Sequence, residues 1–473
     1  MIFCDLIVDS SRRVWFASAG REGDVSVEEL SVGEAASRIT DAGSVVCADS
    51  RHLLDVGLEP AHVRGLLDVS LWLGDRRLAG RRRLPSETWS AFESAGRRLR
   101  AAVRTASHAG IDPNAHPLGA LVPRWVPSAA LREGVKVVRG LWLSGLARGD
   151  LPPRGAHLTD LAVAGLLFSA EQTGFAVDRT VASRWGSEED PVCKRLLHRL
   201  SEVPRGIVFP RFDVHGGRTR RIGTSHGSFP VMGLPREGNV RRAIVSSWSG
   251  GHVASLDFNA QDQRCMVGAV PDRAFRDLYA GASDFHARTS EIVLGHAPRD
   301  PAERRIVKES FYVAAYGGTP DTVASKTGLS VTDASRIVEM TERALAPIVE
   351  LRTATSREAR ESGRISMPDG TWVPADPGDH DGKLMALRFQ TSSAISFRRA
   401  LARFSTISGP GRFVFPVHDE VVLDLPPGQG SEVALGVYAS ELEEGARVPG
   451  LDVDFRVKVH VGENYGDMRE VTR

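Results

Sequence analysis

Four cysteines in 473 residues, at positions 4, 47, 193 and 265, form no Cys-x-x-Cys pair and have no histidine at ligand spacing. That argues against a zinc site or a disulfide framework and reads as reduced, buried thiols in a cytosolic protein. Long hydrophobic runs are missing as well. No stretch approaches the eighteen or so apolar residues of a membrane span, and Met1-Ile2-Phe3-Cys4-Asp5-Leu6-Ile7 reads as a first strand, not a leader. Net charge is nearly absent, at +1 from 60 basic and 59 acidic residues, so any polyanion-binding surface must come from local clusters of arginine. There is no internal repeat and no low-complexity tract. Apolar content of 42% and charged content of 25% are those of a soluble globular chain long enough for two or three domains.

The most informative stretch runs from Glu303 to Gly318, free of proline and closed by a Gly pair that suits a helix C-terminus. Arg304, Lys308, Tyr312 and Tyr316 are spaced four apart, so on a helix they form one slanted stripe, cationic first and aromatic after. Such a surface can hold a triphosphate at one end and stack a base at the other. A solvated basic helix with core tyrosines has the same spacing, so partner motifs must decide.

Two strand-end carboxylates are such partners. In Val253-Ala254-Ser255-Leu256-Asp257 an apolar strand delivers Asp257 just before a helix begins. In Phe413 to Leu425 two apolar runs flank His418-Asp419-Glu420, which reads as a hairpin with these three residues at its tip. Nucleotidyl transfer needs two such carboxylates, from distant strands, to hold two divalent ions.

The spacing Arg-x3-Lys-x3-Tyr-x3-Tyr-Gly resembles the nucleotide-binding fingers helix of family A (polymerase I-like) DNA polymerases. Asp257 to Arg264 is similar to that family's Asp-Tyr-Ser-Gln-x-Glu-x-Arg, Ser283-Asp284-Phe285-His286 to its Asp-Ile-His, and Val417-His418-Asp419-Glu420 to its Val-His-Asp-Glu. Thr219 to Thr224 resembles the Thr-Gly-Arg-Leu-Ser-Ser that touches the primer, and Gly462 to Gly466 the closing Gly-x-Asn-Trp. The resemblance spans about Leu158 to the C-terminus. It implies an α+β right-hand polymerase at 151–473, with a thumb reduced to about 180–215, fingers at about 265–380 and palm from the remainder. The implied substrates and partners are primer-template DNA, deoxynucleoside triphosphates and a processivity partner, with no membrane and a cytoplasmic, nucleoid-associated location. Two Mg2+ ions, or Mn2+ in their place, are implied on Asp257 and Asp419, which with Lys308 form the catalytic set. His286, Arg304, Lys308, Tyr312, Tyr316 and Asp262 would bind the nucleotide, and Arg221, Arg241, Arg264, Gln390, His418 and Glu420 the DNA. The hydroxyl of Tyr312 implies comparatively good use of dideoxynucleotides.

The chain departs from the family in three places. Asp262 replaces the Glu that helps exclude a ribose 2′-hydroxyl, and is one methylene shorter. About thirty residues stand where relatives place a thumb of roughly a hundred, which implies a weak grip on duplex. Finally, 1–150, the place of a proofreading exonuclease, begins with Asp5-Leu6-Ile7 where an Asp-x-Glu is needed. Residues 1–150 therefore read as an inactive exonuclease-like α/β layer or an accessory domain. Asp55 and Asp68 there lack surrounding motifs, and arginines cluster at 76–83 and 97–104. Within this layer Phe3–Val8, Val14–Ala17 and Ser44–Ala48 read as strands, and Val27–Thr40 and Thr88–Ala106 as helices. After a linker at 148–155 the pattern predicts a helix from Leu158 to Thr173, a strand-like run Ile207–Val214, and helices Ala324–Ala346 and Ile348–Ser362. From Ile207 to Ile244 seven arginines face two acidic residues, a density suited to phosphate. Three other readings share parts of this pattern: a single-subunit RNA polymerase-like enzyme, a catalytically inactive primer-template-binding protein, and a metal-dependent nuclease that would need an acidic cluster in the first 150 residues.

Overall fold

The computed structural model describes residues 2–8, 13–20, 26–42, 45–47, 67–68, 154–185, 190–225, 227–236, 238–407, 409, 411–428 and 432–471. The chain forms two compact units, Met1–Phe168 and Ser169–Arg473. The predicted helix Thr88–Ala106, Asp55 and both N-terminal arginine clusters lie outside the described residues.

In the first unit, strands β1 (Ile2–Val8), β2 (Arg13–Ala19), β3 (Ser26–Ser31), β4 (Val45–Cys47) and β5 (Leu67–Asp68) form a sheet of order β3-β2-β1-β4-β5. β1, β2 and β3 are antiparallel, while β4 and β5 run parallel to β1. The run Val27–Thr40, expected as one helix, divides: its start is β3 and helix α1 occupies Val32–Asp41. The division has a local cause. Ser31 closes a capping box in which its hydroxyl accepts from the Glu34 N–H and the Glu34 carboxylate accepts from the Ser31 N–H at 2.8 Å.

Helix α2 spans Arg154–Thr173, four residues earlier than the pattern suggested. Beyond it, β6 (Phe175–Val177), β7 (Ile207–Val208) and β10 (Ile244–Val245) make a small antiparallel sheet, and β8 (Phe212–Asp213) pairs with β9 (Gly223–Thr224). The run Ile207–Val214 is thus two short strands, β7 and β8. Between β6 and β7 stand two helices, α3 (Arg179–Arg184) and α4 (Pro191–Ser201), capped by Asp178 and Asp190.

A five-stranded antiparallel sheet of order β14-β15-β11-β16-β17 positions the site. Its strands are β11 (His252–Phe258), β14 (Arg412–Val417), β15 (Glu420–Leu425), β16 (Val457–Gly462) and β17 (Met468–Val471). β11 is central, and Val253, Ala254 and Leu256 are each at most 2% exposed. Burial of each such valine or leucine is worth roughly 1.5–3 kcal/mol. The sheet end is closed by Phe258, edge-on to Phe397 and Phe455 at 6.1 and 6.2 Å.

Helices α5 (Gln261–Gly268), α6 (Arg273–Asp277), α7 (Phe285–Leu294), α8 (Pro301–Tyr316), α9 (Pro320–Thr327), α10 (Val331–Ala344) and α11 (Ala346–Ser362) follow β11. The expected helix Ala324–Ala346 is instead α9 and α10. Gly328, at φ +78°, ends the first, and the Ser330 hydroxyl caps the second. Val313 of α8 packs with Val323, Ala334 and Val338 of those two helices. A hairpin, β12 (Arg364–Ser366) and β13 (Trp372–Pro374), leads to α12 (Asp381–Phe404). α12 packs on α5, α11 and the last helix, α13 (Glu432–Gly445). The approach of α12 to α8 requires glycine: a Cβ on Gly382 would lie 2.1 Å from the Tyr316 carbonyl oxygen.

Candidate active site

Asp257 and Asp419 come together because the β14–β15 hairpin folds beside the end of β11. Asp257 stands in register with Glu420, and the Phe258 N–H donates to the Asp419 carbonyl at 3.2 Å. His418 and Asp419 are the two loop residues between the paired Val417 and Glu420, and His418 takes φ +57° to make so tight a turn. Left-handed backbone costs a non-glycine residue roughly 1–2 kcal/mol. Ala260 (φ +55°), just before α5, and Arg220 (φ +57°), beside Arg221, are held in the same conformation. Of the four such residues described, His418 lines the cleft beside Asp419, and Ala260 and Arg220 each precede a residue that does, as stored backbone strain often does at functional sites.

Burial, then the neighbouring Asp419 and Glu420 charges, push the Asp257 carboxyl well above its ordinary range. Burial and Asp262 do the same to Asp419. Arg236 offsets part of this at both, joined by Arg241 at Asp257 and by Arg221 at Asp419. Glu420 is turned to other partners: its Oε1 accepts from Ser255 at 2.5 Å and its Oε2 from the Tyr465 hydroxyl at 2.9 Å. Arg241 lies 3.9 Å from Glu420, stacks over the Tyr465 ring at 4.5 Å, and donates to the Pro235 and Leu234 carbonyls.

Helix α8 starts at Asp300, whose side chain accepts from the Glu303 N–H, and ends at Gly317 with φ +73°. Its apolar side, Val307, Phe311 and Ala314, is buried, so Arg304, Lys308, Tyr312 and Tyr316 share the remaining face, all four half-buried. Phe311 meets Phe285 of α7 edge-on at 5.7 Å, which brings His286 beneath the cations. Burial, then Arg304 and Lys308, lower the His286 imidazole to about 4, and its Nδ1 has no partner. Arg304 is engaged: Asp284 accepts from it on both oxygens at 3.0 Å while also capping α7. Lys308 makes no hydrogen bond or ion pair among the described residues.

Tyr312 and Tyr316 stack with centroids 6.1 Å apart and planes within 6°. Burial, then the Asp262 charge, raises both phenols, Tyr312 to about 12. Asp262 accepts from Arg221 on both oxygens, at 2.9 and 3.1 Å. A cleft beside Asp419 is lined by Arg221, Gln261, Ser393, Arg398 and His418. Gln390 is half-buried one turn before Ser393 on α12. Arg264 is fully enclosed, donating to the Asn259, Asp454 and Ala282 carbonyls, and burial lowers its guanidinium to about 10.

The dense arginines of 207–244 are largely bound to distant carboxylates. Arg218 pairs with Asp379 at 2.7 Å and Asp376 at 3.2 Å, Arg220 with Asp369 at 3.7 Å, and Arg242 with Asp467 at 3.0 Å. Burial would raise the Asp379 carboxyl, but hydrogen bonds from Arg218 and Lys383 outweigh it and hold the group well below the usual range. Arg236 is exposed and acts on both central carboxylates. Sequence reading did not single out Arg236 or Asp284 for these roles. Only Asp284 carried a signal, as a capping residue before a helical pattern.

A family model described as DNA polymerase family A matches residues 194–467. The DNA polymerase of Mycobacterium phage D29 is 29% identical over 212 residues, which cover 44% of this chain and 34% of the phage protein. Thermostable DNA polymerase I of Thermus thermophilus is 24% identical over 294 residues, 58% of this chain and 34% of that protein. The chain thus spans about a third of the length of the curated relatives it matches. In fold it is similar to the POL domain of Pol1 from M. smegmatis, solved in complex with DNA primer-template and dNTP. The TM-score is 0.69 at 16% identity, covering 95% of this chain and 92% of that one. With more than half its length matched by one family model, on the segments that build the carboxylate pair and the α8 stripe, the chain belongs to DNA polymerase family A.

Proposed function

We propose that the chain is a DNA-directed DNA polymerase that adds deoxynucleotides to a primer 3′ end on a template strand. The observation that carries this reading is the convergence of Asp257 and Asp419 at one sheet end in a chain of this family. Two half-buried carboxylates, each with its pKa raised, form a site short of positive charge. Among the described residues no group of three or more acidic, histidine or cysteine side chains is arranged to hold a metal ion. A pair of carboxylates suits magnesium, which fills its remaining positions with water and substrate phosphate. Asp257 and Asp419 would hold the ions. The chemistry such ions supply when bound is a more nucleophilic primer 3′-oxygen and neutralisation of the departing pyrophosphate.

The side chains of α8 supply the rest. Lys308, with Arg304 released from Asp284, neutralises the triphosphate, and neutral His286 donates a hydrogen bond to it. Tyr312 stacks on the incoming nucleotide, and Asp262, braced by Arg221, borders the sugar. Arg221 and His418, which line the cleft beside Asp419, and Gln390, one turn before Ser393 on α12, meet the primer-template. The helix pair α3 and α4 stands in for the thumb, so extension is distributive unless a partner clamps the duplex. Residues 1–150 are an exonuclease-like or accessory layer that does not proofread.

The test is magnesium-dependent extension of a primed DNA template by the intact chain, with Asp257→Ala and Asp419→Ala beside it. Extension by the intact chain that drops more than about a thousandfold in both variants supports the reading. Tight primer-template binding without extension by the intact chain overturns it.

A further inference from the structure

Gln263 is 4% exposed, on α5 between Asp262 and Arg264, and its Nε2 donates to the Tyr312 hydroxyl of α8. A buried amide is tolerated when it finds such a partner and costly when it does not. Here that amide joins the palm helix to the nucleotide-facing helix at one atom. The phenol is then held on three sides: by Gln263 at its oxygen, by parallel Tyr316, and by Phe311 edge-on at 6.0 Å.

The geometry also orients a proton. A phenol oxygen that accepts from the amide keeps its own hydrogen, which turns away from the amide toward another acceptor. Lys308 lies one turn before Tyr312 on the same face, and Arg304 one turn before that. A triphosphate laid along those cations brings its sugar, and the phosphate oxygens nearest the sugar, to Tyr312.

We propose that Gln263 is a specificity-determining positioning residue: by donating to the Tyr312 hydroxyl it aims the phenol O–H at the incoming nucleotide, and so sets how well a sugar lacking its 3′-hydroxyl is used. The inference rests on the polymerase reading above. A deoxynucleotide brings its own hydroxyl to this place, whereas a dideoxynucleotide depends on the aimed phenol. Loss of Gln263 therefore falls unevenly on the two.

The experiment measures single-nucleotide incorporation by the full chain on a primed template with magnesium, comparing dideoxy with deoxy substrates. Gln263→Met removes the donor and nearly keeps the shape, and should lower the dideoxy-to-deoxy ratio about fivefold, the worth of one net hydrogen bond. Gln263→Glu, assayed at alkaline pH where the carboxylate is ionised, keeps shape and contact but takes the phenol's hydrogen instead of donating. It should lower the ratio as well, and it carries the test if Gln263→Met does not fold. In a Tyr312→Phe background, Gln263→Met should leave the ratio where Tyr312→Phe put it. An unchanged ratio in the single variants, an equal loss for both substrates, or a further fall in the Phe background would each reduce Gln263 to packing. Failure of the intact chain to extend any primer would instead remove the polymerase reading, and this inference with it.

Discussion

The sheet end and helix α8 carry opposite charge and hold it in opposite ways. At the sheet end two half-buried carboxylates stand together, the Asp419 charge raising Asp257, and the cations that act on them are occupied with Asp262, Glu420 and main-chain carbonyls or stand exposed at Arg236. On α8 the cations are half-exposed, and one of them, Arg304, is held by an acid that a phosphate can displace. The first arrangement stores repulsion; the second holds an exchangeable ion pair. On the proposed reading, charge is left unbalanced, or only loosely balanced, where a ligand of the opposite sign is to enter.

Lys308→Ala removes the unpaired cation and should lower kcat/KM for nucleotide addition by about a hundredfold, measured in single-turnover extension. A loss no larger than that of a surface lysine would mean that α8 does not hold the triphosphate.

Repulsion at the sheet end should be visible in stability. Asp257 has a raised folded value, so its charged form opposes folding once pH exceeds the ordinary carboxylate range. Asp257→Asn should therefore raise the thermal midpoint of the metal-free protein at neutral pH, by about 2 °C. A lowered midpoint would mean that the carboxylate is balanced after all.

His286 sharpens the contrast from the other side. Its folded value of about 4 lies below the ordinary 6.5, so between those pH values the unfolded chain takes up a proton that the folded site refuses. Stability should fall as pH drops through that window, and His286→Asn should flatten the decline in a denaturant series at stepped pH. The smallest effect belongs to the exchangeable pair. Asp284→Asn keeps the helix cap but frees Arg304, and should lower the KM for nucleotide about threefold, less at high salt.

Legibility differed between these regions for physical reasons. Asp257 could be read because an apolar strand that stops at a carboxylate before a helix is a local pattern, and Asp419 because a two-residue turn between apolar runs is another. The α8 stripe followed from spacing alone. The arginines of 207–244 were legible as a basic cluster, but not in their destinations, because Asp262, Asp369, Asp379 and Asp467 reach them only through the folded chain. Val27–Thr40 misled for the opposite reason: its apolar spacing suits two periods, and the Ser31–Glu34 capping box with strand pairing chose between them.

By itself the sequence determined the periodic elements, the two acidic strand ends and the order of motifs that identifies the family, since each depends on residues near one another in the chain. Only the tertiary structure decided which charges remain available. Whether an arginine binds a phosphate or a carboxylate, and whether Gln263 meets solvent or Tyr312, depends on what folding sets within hydrogen-bond reach.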